Sequence, residues 1–347
     1  MTLIYFILIL GITVMIHETG HFIFAKKSGV YVYEYSIGMG PRLFKWKRKN
    51  DETEYSIRLL PIGGYVQLAG EDVSNDEKSS IPKNMRLQEK SFIQNLLIMA
   101  AGVLFNFLLA IVIFFIVGLS NGYVNTKAIV EEVTIDSPAY IAGLKSKDQI
   151  ISVNNHKVNN IDKLMLELTI LKDKNIELGI KRNNELITIN VVAEEVTENE
   201  TTSYKCGFSL NQDVTKGFFP AIKYAFTKFF SLIEQMIFII IYLFTGKLSI
   251  GNLSGPVGIY NIVGETSKLG FLNLLYLMGY LSLNVGFVNI LPFPAFDGGR
   301  IFLLIIEKIR RKKNDPKVEN IINTIGFALL MLLMLVVTIN DIGKIFK

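Results

Sequence analysis

The chain has 347 residues, 50% of them hydrophobic and 19% charged, with 36 Lys and Arg against 31 Asp and Glu. Its mean hydropathy is +0.37. This composition excludes a disordered chain, points away from an ordinary water-soluble enzyme and, with a single cysteine, excludes an internal disulfide. The basic residues stand beside apolar runs, so the net charge of +5 marks membrane flanks and not a nucleic-acid surface.

Residues 1–26 read as a transmembrane helix. Residues 2–16 carry no charge, and Lys26 and Lys27 close the segment at about the length a bilayer needs. A signal peptide would place Lys or Arg before the apolar run, and none stands there. The helix carries His17, Glu18 and His21, which are costly in lipid and demand a reason. Residues 27–91 contain a predicted β-hairpin. Tyr55, Ile57 and Leu59 alternate, Pro61-Ile62-Gly63-Gly64 turns the chain, and Tyr65, Val66 and Leu68 resume. The rest, from residue 71, reads as polar loop. Residues 92–119 form a second span.

Residues 124–196 read as a water-soluble β-rich module, with strands at AIVEEV, DQIISV, IELGI and LITINVVAE and a helix at IDKLMLELTILK. His156 is read there as a solvated turn residue, and Cys206 as structural or incidental. A linker follows over 197–221. In the segment 222–246, Lys223, Lys228 and Glu234 interrupt an apolar helical pattern, which favours an amphipathic helix lying in the membrane interface. Residues 247–269 read as a loop, 270–299 as a third span, 300–319 as a basic loop and 320–340 as a fourth span. The fold class expected is therefore a polytopic α-helical membrane protein with four transmembrane helices, a β-hairpin and one α+β module. The stretch 26–90 holds 12 Lys and Arg, and 300–317 holds seven. The positive-inside rule makes both cytoplasmic, with the termini and the module outside.

The chemistry centres on H-E-T-G-H at 17–21. Two histidines at i and i+4 share a helix face and can bind one zinc ion, with Glu18 beside them as the base. A catalytic zinc needs a third protein ligand and an open position. Glu34, Glu52 and Glu54 lie in strand-like or charged sequence and are rejected. Asp297, in N-I-L-P-F-P-A-F-D-G-G, is the better candidate. Pro292 and Pro294 break the third span and free backbone groups, and Gly298 and Gly299 allow tight turning. Irregular backbone at membrane depth is tolerated where it lines a cavity or is buried in protein. His17, His21 and Asp297 all lie near the cytoplasmic ends of their spans, as the charge count places them.

These motifs, with S-I-G-M-G-P at 36–41, L-P-I-G-G-Y-V at 60–66, A-G-V-L-F-N at 101–106, the run from Ser137 to Asn154 and L-S-G-P-V-G-I at 253–259, come in the order of a known family. The chain resembles the site-2 proteases, intramembrane zinc metalloproteases, of the bacterial regulator-of-sigma-E protease type. The resemblance implies four spans in the bacterial cytoplasmic membrane and a cytoplasmic-side active site. It implies an extracytoplasmic PDZ-like domain, where the enterobacterial member has two in tandem. It implies one Zn2+ per chain on His17, His21 and Asp297, with Glu18 as base. Asn106 and Asn289 would place the substrate or polarise its carbonyl. The strand around Gly63, Gly64, Tyr65 and Val66 would hold unwound substrate by β-addition. Substrates would be single-span membrane proteins such as anti-sigma factors, or remnant signal peptides. Partners are then the lipid bilayer and those substrates, with no nucleic acid, and a monomer is expected. Two other classes compete: a membrane metal or ion transporter using the same His, Glu and Asp cluster, and a non-catalytic scaffold built on the module, which would not need Glu18.

Overall fold

The computed structural model describes residues 1–49, 51–71, 81–124, 127–171, 173–198, 201–211, 214–249, 251 and 253–345. In chain order, α1 (Thr2–Lys27) leads to strands β1 (Val32–Lys47) and β2 (Glu54–Leu68), then to α2 (Phe92–Asn121). Next come β3 (Tyr123–Val124), β4 (Val130–Val133), α3 (Pro138–Ile141), β5 (Gln149–Val153), β6 (His156–Lys157) and α4 (Ile161–Thr169). Strands β7 (Asn175–Arg182), β8 (Glu185–Val192), β9 (Glu194–Glu198), β10 (Thr201–Lys205), β11 (Phe208–Leu210) and β12 (Val214–Thr215) follow. The chain ends in α5 (Phe218–Phe244), α6 (Pro256–Lys268), α7 (Phe271–Ile290), α8 (Asp297–Arg310) and α9 (Pro316–Ile345). Among the described residues, five stretches are long and apolar enough to cross a membrane: Thr2–Lys27, Phe92–Asn121, Phe218–Phe244, Phe271–Ile290 and Val318–Lys344.

The first of two compact units comprises residues 1–113 and 254–345. The uncharged run of α1 packs Ile9 against Val263 of α6 and against Leu274, Leu277 and Leu281 of α7. The segment 247–269 is therefore not all loop. Pro256 opens a helix at a position where its missing N–H costs nothing. Asp341 of α9 accepts hydrogen bonds from the amides of Gly255 and Gly258, both at 2.8 Å, and so satisfies that helix start. The third span also stops earlier than expected, at Ile290, and the chain turns before α8 begins at Asp297. Gly298 lies in that corner, where a Cβ would stand 2.2 Å from the Ile290 carbonyl oxygen. The basic segment 300–319 is not simply a loop, because Ile301 to Ile305 give α8 apolar residues to pack under its charges. It ends at Arg311, which is left-handed with φ 53°.

The predicted hairpin within 52–68 has a different form. The strand β2 runs through Pro61–Gly64 and pairs with β1, which sequence reading left unassigned. The outer part of β1 pairs with Glu54–Arg58, and its inner part, Val32–Ile37, lies between Glu54–Ile57 and Gly64–Leu68. Among the described residues, Gly64–Leu68 is thus a sheet edge. The inward residues of β1 include Glu34 and Ser36 beside Val32, so the strand lacks an apolar alternation. Glu34 is held by Ser56 at 2.5 Å, Arg58 at 2.9 Å and Tyr65 at 2.6 Å.

The second unit spans residues 114–253. Strands β6, β5, β7 and β8 form an antiparallel sheet in that order. They cover a core of Ile150, Val153, Leu164, Ile176, Leu178 and Ile180. Residues 197–221 are not a linker. Strand β10 pairs with β9, β11 pairs back to β4, β12 pairs with β3, and α5 starts at Phe218. Strands β11 and β12 are two or three residues long and pair with partners distant in sequence, so they leave no period to read. His156 is not simply solvated: its Nδ1 lies 2.9 Å from Glu167 Oε2 and its Nε2 lies 3.1 Å from Lys247 Nζ. Burial pushes the Cys206 thiol up to about 11, which leaves it inert at neutral pH.

Candidate active site

Three side chains from two segments converge. His17 and His21 project one helical turn apart from α1, and Asp297 opens α8. Nε2 of His17 lies 3.2 Å from Nε2 of His21, and Asp297 Oδ2 lies 3.0 and 3.3 Å from these two nitrogens. Zinc holds nitrogen and oxygen donors at about 2.0–2.2 Å, so the edge of a tetrahedron around it is about 3.3 Å. The observed triangle has that size. Asp297 Oδ2 is also buried without a hydrogen-bond donor. Two imidazole nitrogens and one carboxylate oxygen aimed at one point fit a zinc ion.

Each histidine is fixed from behind by α2. Nδ1 of His21 lies 2.8 Å from the Ile98 carbonyl oxygen, to which it must donate. Nδ1 of His17 faces the amide of Asn106 at 3.2 Å. Between them Gly102 leaves the room both rings need, since a Cβ there would stand 2.4 Å from His21 Nε2 and 2.7 Å from His17 Nε2. Ile98, Gly102 and Asn106 are four residues apart in turn, so one stripe of α2 backs the pair.

A cavity of about 350 Å³ opens on the cluster, lined by His17, Glu18, His21, Tyr65, Asn289 and Asp297 among others. Glu18 Oε2 accepts a hydrogen bond from the Val66 amide at 3.1 Å, so the sheet edge meets the carboxylate directly. Tyr65 and Val66 line the cavity, whereas Gly63 and Gly64 do not. Burial and its bond to Glu34 push the Tyr65 hydroxyl up, so it stays protonated and anchors the edge. The two asparagines separate: Asn289 faces the cavity, while Asn106 is fully buried outside its lining. Pro292 and Pro294 lie in the turn before α8. Sequence reading missed Arg300, which lines the cavity and pairs with Glu71. Its position one turn after Asp297 was the available signal.

The match to known proteins covers almost the whole chain. The family model for Peptidase family M50 matches residues 5–333. The protein CPE1693 of Clostridium perfringens is 37% identical over 343 residues, covering 99% of this chain and 98% of its own length. The regulator of sigma-W protease RasP of Bacillus subtilis is 32% identical over 421 residues, covering 99% of each chain. The zinc metalloprotease RasP of Shouchella clausii is 32% identical over 420 residues, covering both chains in full. The chain belongs to Peptidase family M50, the site-2 proteases.

Proposed function

We propose that this chain cuts a peptide bond within or beside the transmembrane helix of a single-span membrane protein, with His17, His21 and Asp297 holding zinc and Glu18 as the base. Family membership makes it an intramembrane zinc metalloprotease of a bacterial membrane. The observation that carries the finer reading is the donor triangle with Glu18 beside it, tied to a sheet edge.

A transmembrane helix hides its amides, so the substrate must unwind before it is cut. The edge Gly64–Leu68 accepts it as an added strand that takes over the Val66 N–H from Glu18, which frees the carboxylate beside the peptide bond to be cut. Zinc held by His17, His21 and Asp297 would polarise the scissile carbonyl and acidify the attacking water. Glu18 takes that water's proton and delivers it to the leaving amine. Asn289, on the cavity wall, donates to the developing oxyanion. Anti-sigma factors and remnant signal peptides are the substrate classes proposed.

Four of the five apolar helices cross the bilayer in this reading, and α5 lies along its outer face. Lys228 of α5 pairs with Asp162 at 2.6 Å, and Glu234 accepts from Asn159 and Asn160 at 2.9 and 3.0 Å. Lys163 donates to Tyr242 at 2.8 Å. Lys228, Glu234 and Tyr242 of α5 are thus taken by the module, which needs water on its other sides. The opposite stripe of α5, with Phe219, Phe226, Phe230, Ile237 and Phe244, is exposed and suits the interface. The module acts as a PDZ-like filter outside, the basic segments face the cytoplasm, and the chain works as a monomer.

The test uses purified protein in proteoliposomes with a single-span reporter lacking a bulky outer domain. Mass spectrometry should find a product with the wild type, lost on chelation and restored by zinc, and none with Glu18→Gln. Cleavage by the Glu18→Gln variant would overturn the assignment of the base.

A further inference from the structure

We infer that Asn106 is a positioning residue: it holds His17 in the tautomer and orientation that zinc needs, and does not touch substrate. This rests on the zinc reading above. Coordination through Nε2 requires the hydrogen of His17 on Nδ1. The group facing Nδ1 must then accept, yet Asn106 Nδ2 is the end that lies 3.2 Å away. The two ends of an amide exchange by a half-turn, and the hydrogen-bond network decides between them.

Ser282 of α7 points to the same half-turn. Its hydroxyl has one hydrogen, which goes to the Asn106 backbone carbonyl at 3.0 Å. It also contacts the far end of the Asn106 amide at 3.4 Å. With that hydrogen already used, the Ser282 oxygen can only accept there, so the amide end facing it is the NH2. The other end, Oδ1, then faces His17 Nδ1–H. The half-turn satisfies every group: Ser282 donates once and accepts once, and His17 Nδ1 donates to Asn106.

Position excludes the competing role. Asn106 and Ser282 are both fully buried, and neither lines the cavity. Their neighbour Gly286 is packed so closely that a Cβ would stand 3.3 Å from Asn106 Cβ. The amide lies behind the His17 ring, where no oxyanion can reach it. The chain Ser282, Asn106, His17 is therefore a support for one ligand, as the Ile98 carbonyl is for His21.

Two substitutions separate support from substrate contact. Asn106→Leu keeps the volume and removes the acceptor. Asn106→Asp keeps an acceptor but cannot donate to an oxyanion. Zinc affinity is measured by competition with a chromophoric chelator in detergent, cleavage in proteoliposomes, and folding by thermal melting. Asn106→Leu should lose about 10–100-fold in zinc affinity, the range for losing such a partner, and Asn106→Asp should recover both affinity and cleavage. Unchanged zinc affinity in Asn106→Leu, or a zinc-loaded and folded Asn106→Asp that fails to cleave, would overturn the inference. A wild type that binds no zinc would instead overturn the metal site itself.

Discussion

At the residue scale the site depends on close approach as much as on ligand identity. Gly102 carries no chemistry, but the donor triangle exists only because α2 has no side chain there. Gly102→Ala would place a methyl group 2.4 Å from His21 Nε2, against an ordinary contact of about 3.5–4.0 Å. The rings must then turn away, and zinc affinity should fall at least about tenfold by the same chelator competition, with little change in helix content. Wild-type affinity in this variant would mean that the rings do not lie against α2 as described. Asp297→Asn keeps the shape and removes the charge, and should likewise weaken zinc while leaving the fold. The three donors that converge were legible in sequence because charge in lipid is costly and i, i+4 spacing is geometric. The backing of the ligands was not legible. A-G-V-L-F-N names Asn106, but only the structure shows that its amide faces a histidine and not the cavity.

At the element scale, the sheet of β1 and β2 carries the edge strand to Glu18. Val66→Pro removes the amide that Glu18 accepts from and blocks strand addition at that point. Cleavage should fall by more than about 100-fold while zinc affinity holds, since no ligand moves. Zinc loss in step with activity would mean that the edge supports the metal site and not the substrate. The sheet is itself pH-sensitive through Glu34. Burial raises this carboxyl, but its bonds to Ser56, Tyr65 and Arg58 outweigh that and leave it below its ordinary 4.5. A depressed carboxyl contributes stability above its ordinary value and loses it as pH falls through its folded value. The single Trp46 is a clean probe, stacked on Tyr55 with ring centroids 5.6 Å apart. Its emission should shift to the red as pH falls below 4.5, and Glu34→Gln should show the shifted emission already at pH 7. The same buried Glu34 hid β1 from sequence reading, because a polar residue on the inner face breaks the apolar alternation.

At the scale of the whole molecule, five helices among the described residues are long and apolar enough to cross. Four apolar runs were plain from their length and lack of charge. The fifth was ambiguous because Lys223, Lys228 and Glu234 interrupt its apolar run, and the partners of Lys228 and Glu234 lie more than 60 residues earlier in sequence. Such pairings have no local signature. Once they are known, the charges argue for an interfacial helix and not merely against a span. A crossing α5 would draw its bound partners, Asp162 and the Asn159–Asn160 segment, into hydrocarbon, at a cost of several kcal/mol per unsatisfied group. The proposed arrangement fixes the sidedness of both ends of α5. In a Cys206→Ser background, Lys216→Cys and Thr245→Cys should both react with a membrane-impermeant maleimide added outside intact cells. Lys312→Cys, in the basic segment that this arrangement places inside, should react only after lysis. Labelling of just one of the two α5 ends would mean that the helix crosses, and the count of spans would rise to five. The module's water-facing contacts with α5 would then have to open on insertion, and the Lys228–Asp162 pair would be the first to break.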